Sequence, residues 1–377
     1  MLGILLQTLD ETLRWRHSPR VPTTDLTMTF RQLLFALAAT AALLPHIVFG
    51  AIFGPDDRIR FDEADAASIG NLLTSAGGIS CLDGSWGTGF IVDISKYVEE
   101  QQDFYIIATT AGVLYDGGGL SRGRCAFIPA VSPGKLMELQ EQLSGGTIVE
   151  HIDSDDWAFV RVERHTLELE ALPIAFGDAY DFPPDIPFNL WAVGFVPDWG
   201  TIAMSSGCAP DDKTQYPALW IRNHDLERMV IHDCDLLSAA RGGPLVYLTG
   251  GKFFAIAINA GDGPGAKHLD LRGIPYDPNR SFHNFARRFD AELEQKLIAF
   301  VSRFAHIKDP SPSVRAFSEL VRNIQAELTR LGYDAGPIDG LLGSKTRDAI
   351  QAFQATLDLT QNGRISEEIL LLMRARK

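Results

Sequence analysis

The chain has 377 residues, of which 46% are hydrophobic and 22% charged, with a formal net charge of −14. That length accommodates two domains and a targeting segment, and the composition is that of a folded globular chain, not a disordered one. The acidic balance, with no clustered run of Lys and Arg, excludes a nucleic-acid binder that works by neutralising phosphates.

Leu33–Leu44 is an almost wholly apolar stretch, preceded by Arg31 and followed by Pro45 and the small residues Gly50 and Ala51. A basic flank, a short apolar run and a small-residue exit fit a secretion signal better than a membrane span, which needs about 20 apolar residues. Residues 1–27 contain Pro and Arg and precede Met28, so Met28 reads as the true start, 1–27 as an upstream extension and 28–51 as the signal peptide. The alternative is an uncleaved anchor, because apolar residues resume at Ile47–Phe53. Cys81, Cys125, Cys208 and Cys234 all follow this segment. An even count in an exported chain implies two disulfides, with three connectivities open. No C-x-x-C occurs and the nine histidines lack ligand spacing, so neither a metal centre nor a cofactor is expected.

From Ile52 to about Asn284, short apolar runs alternate with turn residues. They are Gly89–Ile94, Phe104–Thr109, Trp157–Val162, Leu190–Phe195, Leu219–Arg222, Met229–His232, Pro244–Leu248 and Phe253–Asn259. The last two, joined at Thr249-Gly250-Gly251, predict a tight hairpin. Many strands without intervening amphipathic helices predict an all-β barrel or sandwich. Phe285, Phe289, Leu293, Leu297 and Val301 recur at i, i+4 and predict a helix ending near Ala305, which closes a domain over 52–305. Residues 306–316, with Pro310 and Pro312 among polar residues, read as a linker. Over 317–377 the period becomes helical. Val321, Ile324, Leu328 and Leu331 share one face, with Gly332 placed to end it. Ser344 is positioned to cap a second helix carrying Ile350, Phe353 and Leu357, and Ser366 a third carrying Ile369, Leu372 and Met373.

The C-terminal unit carries Ile324-Gln325, Leu328, Leu331-Gly332-Tyr333, Ile338-Asp339-Gly340, Gly343, Lys345-Thr346-Arg347, Ala349-Ile350, Phe353-Gln354 and Asn362-Gly363. In these residues and their spacing it resembles the peptidoglycan-binding domain at the ends of many cell-wall hydrolases. The resemblance implies binding of glycan or stem peptide. Most of the motif residues are turn formers or core, which leaves Tyr333, Arg347 and Gln354 as candidates for the ligand surface. Tyrosine offers a stacking face with a hydroxyl, and arginine can pair with stem-peptide carboxylates.

Residues 52–284 resemble secreted bacterial trypsin-like peptidases of the glutamyl-endopeptidase type. The resemblance is carried by Ile52–Arg58, Gly87-Thr88-Gly89-Phe90-Ile91-Val92, Ile106–Asp116, Asp155-Asp156-Trp157-Ala158, His232-Asp233-Cys234-Asp235 and Ala239–Leu245. It implies a trypsin-like double β-barrel, mainly β, with a C-terminal helix, followed by the small three-helix domain. Sequential pairing, Cys81–Cys125 and Cys208–Cys234, then brackets one half of the fold each, a stabilisation of roughly 3.5–4 kcal/mol per bridge on loop entropy.

The same resemblance places the triad at Gly112, Asp156 and Arg241. Serine attacks a carbonyl only when an imidazole takes its proton and an aspartate orients that imidazole. Gly112 has no side chain, and Arg241 stays protonated and only donates. Ala239 replaces a glycine of the oxyanion loop, and Asn259 stands where the glutamate-specific relatives have a histidine. Ser238, His151 and His232 flank these motifs and read as a turn serine and loop histidines. Gly112 vacates space that the Arg241 fork can cross, so an Arg241–Asp156 ion pair is expected there, against the alternative of Arg241 exposed on its loop.

The sequence therefore predicts an exported, periplasmic or secreted, cell-wall protein. Its partner would be peptidoglycan, and its disabled peptidase domain would serve as a platform for a protein or peptide. The alternatives are an active trypsin-like endopeptidase targeted to peptidoglycan and a purely structural envelope protein.

Overall fold

The computed structural model describes residues 57–146, 155–164, 167–175, 190–197, 199–210, 228–236, 238–262, 284–308, 312–359, 361 and 363–376. The signal-like segment, the strand expected at 219–222, His151 and Asn362 lie outside the described residues. In chain order the strands are β1 (Ile59–Arg60), β2 (Ala76–Cys81), β3 (Trp86–Ile91), β4 (Phe104–Thr109), β5 (Cys125–Pro129), β6 (Met137–Glu138), β7 (Gln142–Ser144) and β8 (Ala158–Glu163). There follow β9 (Leu190–Val196), β10 (Thr201–Cys208), β11 (Met229–His232), β12 (Pro244–Thr249), β13 (Lys252–Asp262) and β14 (Asn284–Arg288).

Among the described residues these strands form two curled, seven-stranded antiparallel sheets. One runs β6-β5-β2-β3-β4-β8-β7 and the other β1-β10-β9-β12-β13-β14-β11. The two halves of the sequence thus fold into one sheet each, with β1 crossing to the second.

Strand β4 shows why the runs are continuously apolar instead of alternating. All six of its residues are buried. Phe104, Ile106 and Ala108 face the core shared by both sheets, while Tyr105 and Ile107 face the interior of the first sheet. Successive side chains leave a strand on opposite faces, so both must be apolar when both are covered. The shared core joins Phe90 and Phe159 of the first sheet to Val193, Phe195, Val246 and Phe253 of the second. Each such side chain contributes roughly 1.5–3 kcal/mol by leaving water. The β12–β13 hairpin turns at Gly250 and Gly251, with φ of 57° and 74°, where two positive φ values match the strand twist.

Both disulfides form as expected, Cys81–Cys125 and Cys208–Cys234. The first joins residues that already face each other across β2 and β5.

The helix expected from Phe285 begins later. Phe285 lies in β14, paired with Ile231 and Gly261. The Asp290 carboxylate then accepts from Leu293 N at 2.9 Å and starts the helix Ala291–Val301. The i, i+4 spacing ran across a strand whose two faces are both buried, which periodicity cannot distinguish from a helix. A helix absent from the sequence reading, Ala66–Ser75, puts Ile69 and Leu72 into the shared core.

The linker is shorter than 306–316. Lys308 N donates to Tyr97 O at 2.7 Å, and Pro312 opens the helix Pro312–Arg330, at a position where its missing N–H costs nothing. The other two helices are Ser344–Ala355 and Glu367–Arg374. Gly343, not Ser344, occupies the cap position of the former, and Ser366 caps the latter by accepting from Ile369 N. Ile324, Leu328, Ile350, Phe353, Ile369 and Met373 form the core of this unit.

The helical unit sits against the Ala291–Val301 helix. Gln295 Nε2 donates to Ser318 Oγ at 2.6 Å and to Gly340 O at 2.7 Å, and Lys296 Nζ donates to Leu342 O. An ionic network continues the contact. Arg347 pairs with Glu292 and, at 3.2 Å, with Asp155. Arg228 pairs with Glu292 at 2.6 Å and Asp290 at 3.1 Å, and the fully buried Arg287 pairs with Asp290 at 2.9 Å. Burial pushes the Asp290 carboxyl up, but Arg287 and Arg228 outweigh it and hold the group well below the usual carboxylate range.

Because the folded pKa of Asp290 is depressed, its stabilisation is present above the unfolded value and is lost as pH falls through and below about 4. Thermal melts at decreasing pH should show the melting temperature of wild type falling more steeply than that of Asp290→Asn. Replacing Cys208 and Cys234 together by Ser should lower unfolding free energy by about 3 kcal/mol in urea titration.

Candidate functional site

The candidate site lies where the two sheets meet, and its geometry begins with Thr88 on β3. Thr88 Oγ1 donates to Ala239 O at 2.6 Å, and Thr88 N donates to Arg241 O at 2.8 Å. The loop is thereby tied to the first sheet although it belongs to the second. Gly242 has φ of 88°, and a Cβ there would come within 2.2 Å of Thr88 O. A Cβ on Gly243 would come within 1.9 Å of Val193 O. No side chain fits at either position, which accounts for the Gly-Gly pair independently of any chemistry. Asn259, in a buried stretch of β13, accepts from Gly242 N through its carbonyl at 2.7 Å and donates its own N–H to Gly243 O at 2.8 Å. Its Nδ2 donates to Pro244 O at 3.3 Å. Asn259 therefore works as a clamp on the loop.

Gly112 sits in the single helical turn Ala111–Leu114 that follows β4. Its N–H donates to Asp156 Oδ1 at 2.9 Å. Arg241 donates to Asp156 Oδ2 from Nε at 3.1 Å and also from Nη2. The three positions assigned to a triad from the sequence are thus brought together, and the expected ion pair forms. A Cβ built on Gly112 would lie 2.7 Å from Arg241 Cζ and from Nη1. The guanidinium lies over the glycine and occupies the space next to the carboxylate.

The Asp156 side chain is 6% exposed and that of Arg241 22%. Chemically the arrangement is a closed acceptor–donor pair. One carboxylate accepts a backbone amide and a guanidinium fork. His232, read from the sequence as a loop histidine, is instead fully buried on β11, where its Nδ1 accepts from Cys234 N at 3.3 Å. Ser238 opens a short 3-10 turn, Ser238–Ala240.

The three residues expected at the glycan or peptide surface have these surroundings. Arg347 is committed to Glu292 and Asp155 across the domain contact. Gln354 is buried, and its Oε1 accepts from Gly363 N at 2.9 Å, which fixes the turn there. Tyr333 packs edge-on against Phe353, with ring centroids 6.1 Å apart, and is half-buried. A residue the sequence reading counted only as motif, Gln325, is a buried hub. Its Nε2 donates to Asp339 Oδ1 and Leu341 O, both at 3.1 Å, and its Oε1 accepts from Gly340 N at 2.9 Å.

Residues 318–373 match the family of the peptidoglycan binding domain. No curated protein matches the chain by sequence. Three solved structures are similar to it. A thermostable serine protease, AL20, from an extremophilic microorganism is 17% identical, with 62% of this chain and 99% of that one covered and a TM-score of 0.42. The protease Anisep from Arthrobacter nicotinovorans is 12% identical, with 61% and 96% covered and a TM-score of 0.41. A Glu endopeptidase in complex with MPD is 10% identical, with 67% and 100% covered and a TM-score of 0.45.

Two substitutions test the packing of Arg241 over Gly112. Gly112→Ala should destabilise by about 1–3 kcal/mol through overpacking, and Arg241→Ala by about 3 kcal/mol because Asp156 stays buried without its cation. Combined, they should cost less than the sum, since the methyl group no longer meets a guanidinium. Urea denaturation of the four proteins gives the coupling, and strict additivity would show that the two residues do not share the space.

Proposed function

We propose that this is an exported, cell-wall-associated protein that binds peptidoglycan through its C-terminal domain. Its serine-peptidase-like β domain serves as a platform for a protein or peptide and not as a catalyst. The observation that carries the reading is the Arg241–Asp156 pair closed over Gly112. An acyl-transfer site needs an attacking oxygen or sulfur beside a base, and removing either from a triad costs on the order of 10⁶ in turnover. Among the described residues, the side chain of Asp156 is held by Gly112 N and Arg241, with no imidazole between them.

Location outside the cytoplasm is supported by two disulfides, which persist in oxidising compartments, and by the peptidoglycan binding domain match. Among the described residues no helix is long and apolar enough to cross a membrane.

An active endopeptidase directed to peptidoglycan is the second reading, favoured only by the retained order of the Gly112, Asp156 and Arg241 segments. The two readings separate in one experiment. Purified protein should be retained on isolated sacculi and should release no product from a peptide library by mass spectrometry, while Gly112→His with Arg241→Ser should gain measurable cleavage. Hydrolysis by the wild type that is lost in Arg241→Ala would establish the enzyme and reject the platform.

A further inference from the structure

Asp155 and Asp156 are consecutive, yet they serve different parts of the molecule. Asp156 Oδ1 accepts from Gly112 N at 2.9 Å, and its Oδ2 accepts from Arg241 Nε at 3.1 Å. Asp155 Oδ1 pairs instead with Arg347 of the helical unit at 3.2 Å. A second cation, Arg228 of the β domain, lies 4.0 Å from the same oxygen. Asp155 thus has two guanidinium groups within reach, and only one of them belongs to the helical unit.

The backbone between the domain contact and the Arg241 centre is braced. Trp157 N donates to Asp155 O and Gly145 N donates to Trp157 O, both at 2.9 Å. Gly145 lies so close that a Cβ on it would stand 2.0 Å from Asp155 O. Trp157 is 3% exposed and packs on Phe159, with ring centroids 5.4 Å apart. A segment held in this way shifts as a unit, because a close-packed interior has no slack to absorb the displacement of one residue. The far end is less confined. The Arg241 side chain is 22% exposed, so its guanidinium has solvent into which it can turn.

We propose that the domain contact controls the Arg241–Asp156 centre through the Asp155–Trp157 segment. With the helical unit docked, Arg347 holds Asp155, and Asp156 stays where Gly112 N and Arg241 meet it. With the unit lifted, Asp155 turns to Arg228, Asp156 moves with it, and Arg241 opens to solvent. The two arrangements differ in which cation Asp155 pairs with, and that difference is what a bound partner can act on. Anything that favours one arrangement at either end biases the other end, and the coupling is reciprocal. Neither wall binding nor catalysis enters, since the device needs only the two positions of the segment.

The test is modification of arginines by phenylglyoxal on the full chain, resolved residue by residue in mass spectrometry. Arg161 on β8 is the internal reference. Its side chain is 20% exposed, close to that of Arg241, and its partners Gln140 and Glu141 belong to the β domain. In Arg347→Ala, modification of Arg241 should accelerate about fivefold or more relative to Arg161, and in Arg347→Lys by a smaller factor. Reciprocity supplies a second reading that does not require Arg347→Ala to fold. Arg241→Ala should in turn accelerate modification of Arg347, whose side chain is 18% exposed when docked. An Arg241 rate unchanged by Arg347→Ala, or an Arg347 rate unchanged by Arg241→Ala, would overturn the coupling. Acceleration of Arg161 by the same factor as Arg241 would mark general loosening of the β domain and would overturn it as well.

Discussion

A carboxylate withdrawn from water must be matched by donors, and this requirement organises the molecule around two adjacent residues. Asp156 is turned inward to Gly112 and Arg241, while Asp155 reaches Arg347 of the helical unit. One backbone step thus separates the Gly112–Arg241 site from the domain contact. The cost of burying each charge is offset by a guanidinium held in place by other contacts, which limits the side-chain entropy lost in pairing. Asp290 follows the same rule with Arg287 and Arg228, and it also begins the helix on which the C-terminal unit rests.

The site follows from this balance. In a working triad, the aspartate orients an imidazole. Here the space is taken by a cation that arrives from the opposite sheet. A Cβ on the neighbouring glycine would meet the guanidinium end of that side chain, which would then have to shift. The loop that carries Arg241 is held by Thr88 and Asn259. The frame of the loop and the side chains it carries have separate origins. The first is set by backbone hydrogen bonds and steric fit, the second by side-chain identity.

Much of the fold was legible. Strand β4 and strand β11 were read with their bounds, because short apolar runs between turn residues have few other solutions. The Gly250-Gly251 hairpin was read from the same logic of positive φ. The linker and the helix from Phe285 were misplaced, since an i, i+4 pattern is also met by a strand buried on both faces followed by a capped helix. At the candidate site, Gly112, Asp156 and Arg241 were found together as expected, because the Gly242-Gly243 pair fixed the register of the loop. Of the residues expected at a ligand surface, Arg347 pairs with Glu292 and Asp155, and Gln354 accepts from Gly363 N. Their chemistry suits a ligand, but nothing in one helix says which partners the packed chain brings to each residue.

By itself, then, the sequence determined the disulfide-bearing two-sheet frame and the helical C-terminal domain. These depend on residue identity and on local period, which are written along the chain. Only the tertiary structure decided that Arg241 closes over Gly112 onto Asp156 instead of facing solvent. It alone showed that Arg347 joins the domains. Those outcomes depend on contacts between residues far apart in the chain, 85 positions for Arg241 and Asp156 and 55 for Arg347 and Glu292, and the pairing of a buried charge is settled by which partners the packed chain brings within reach.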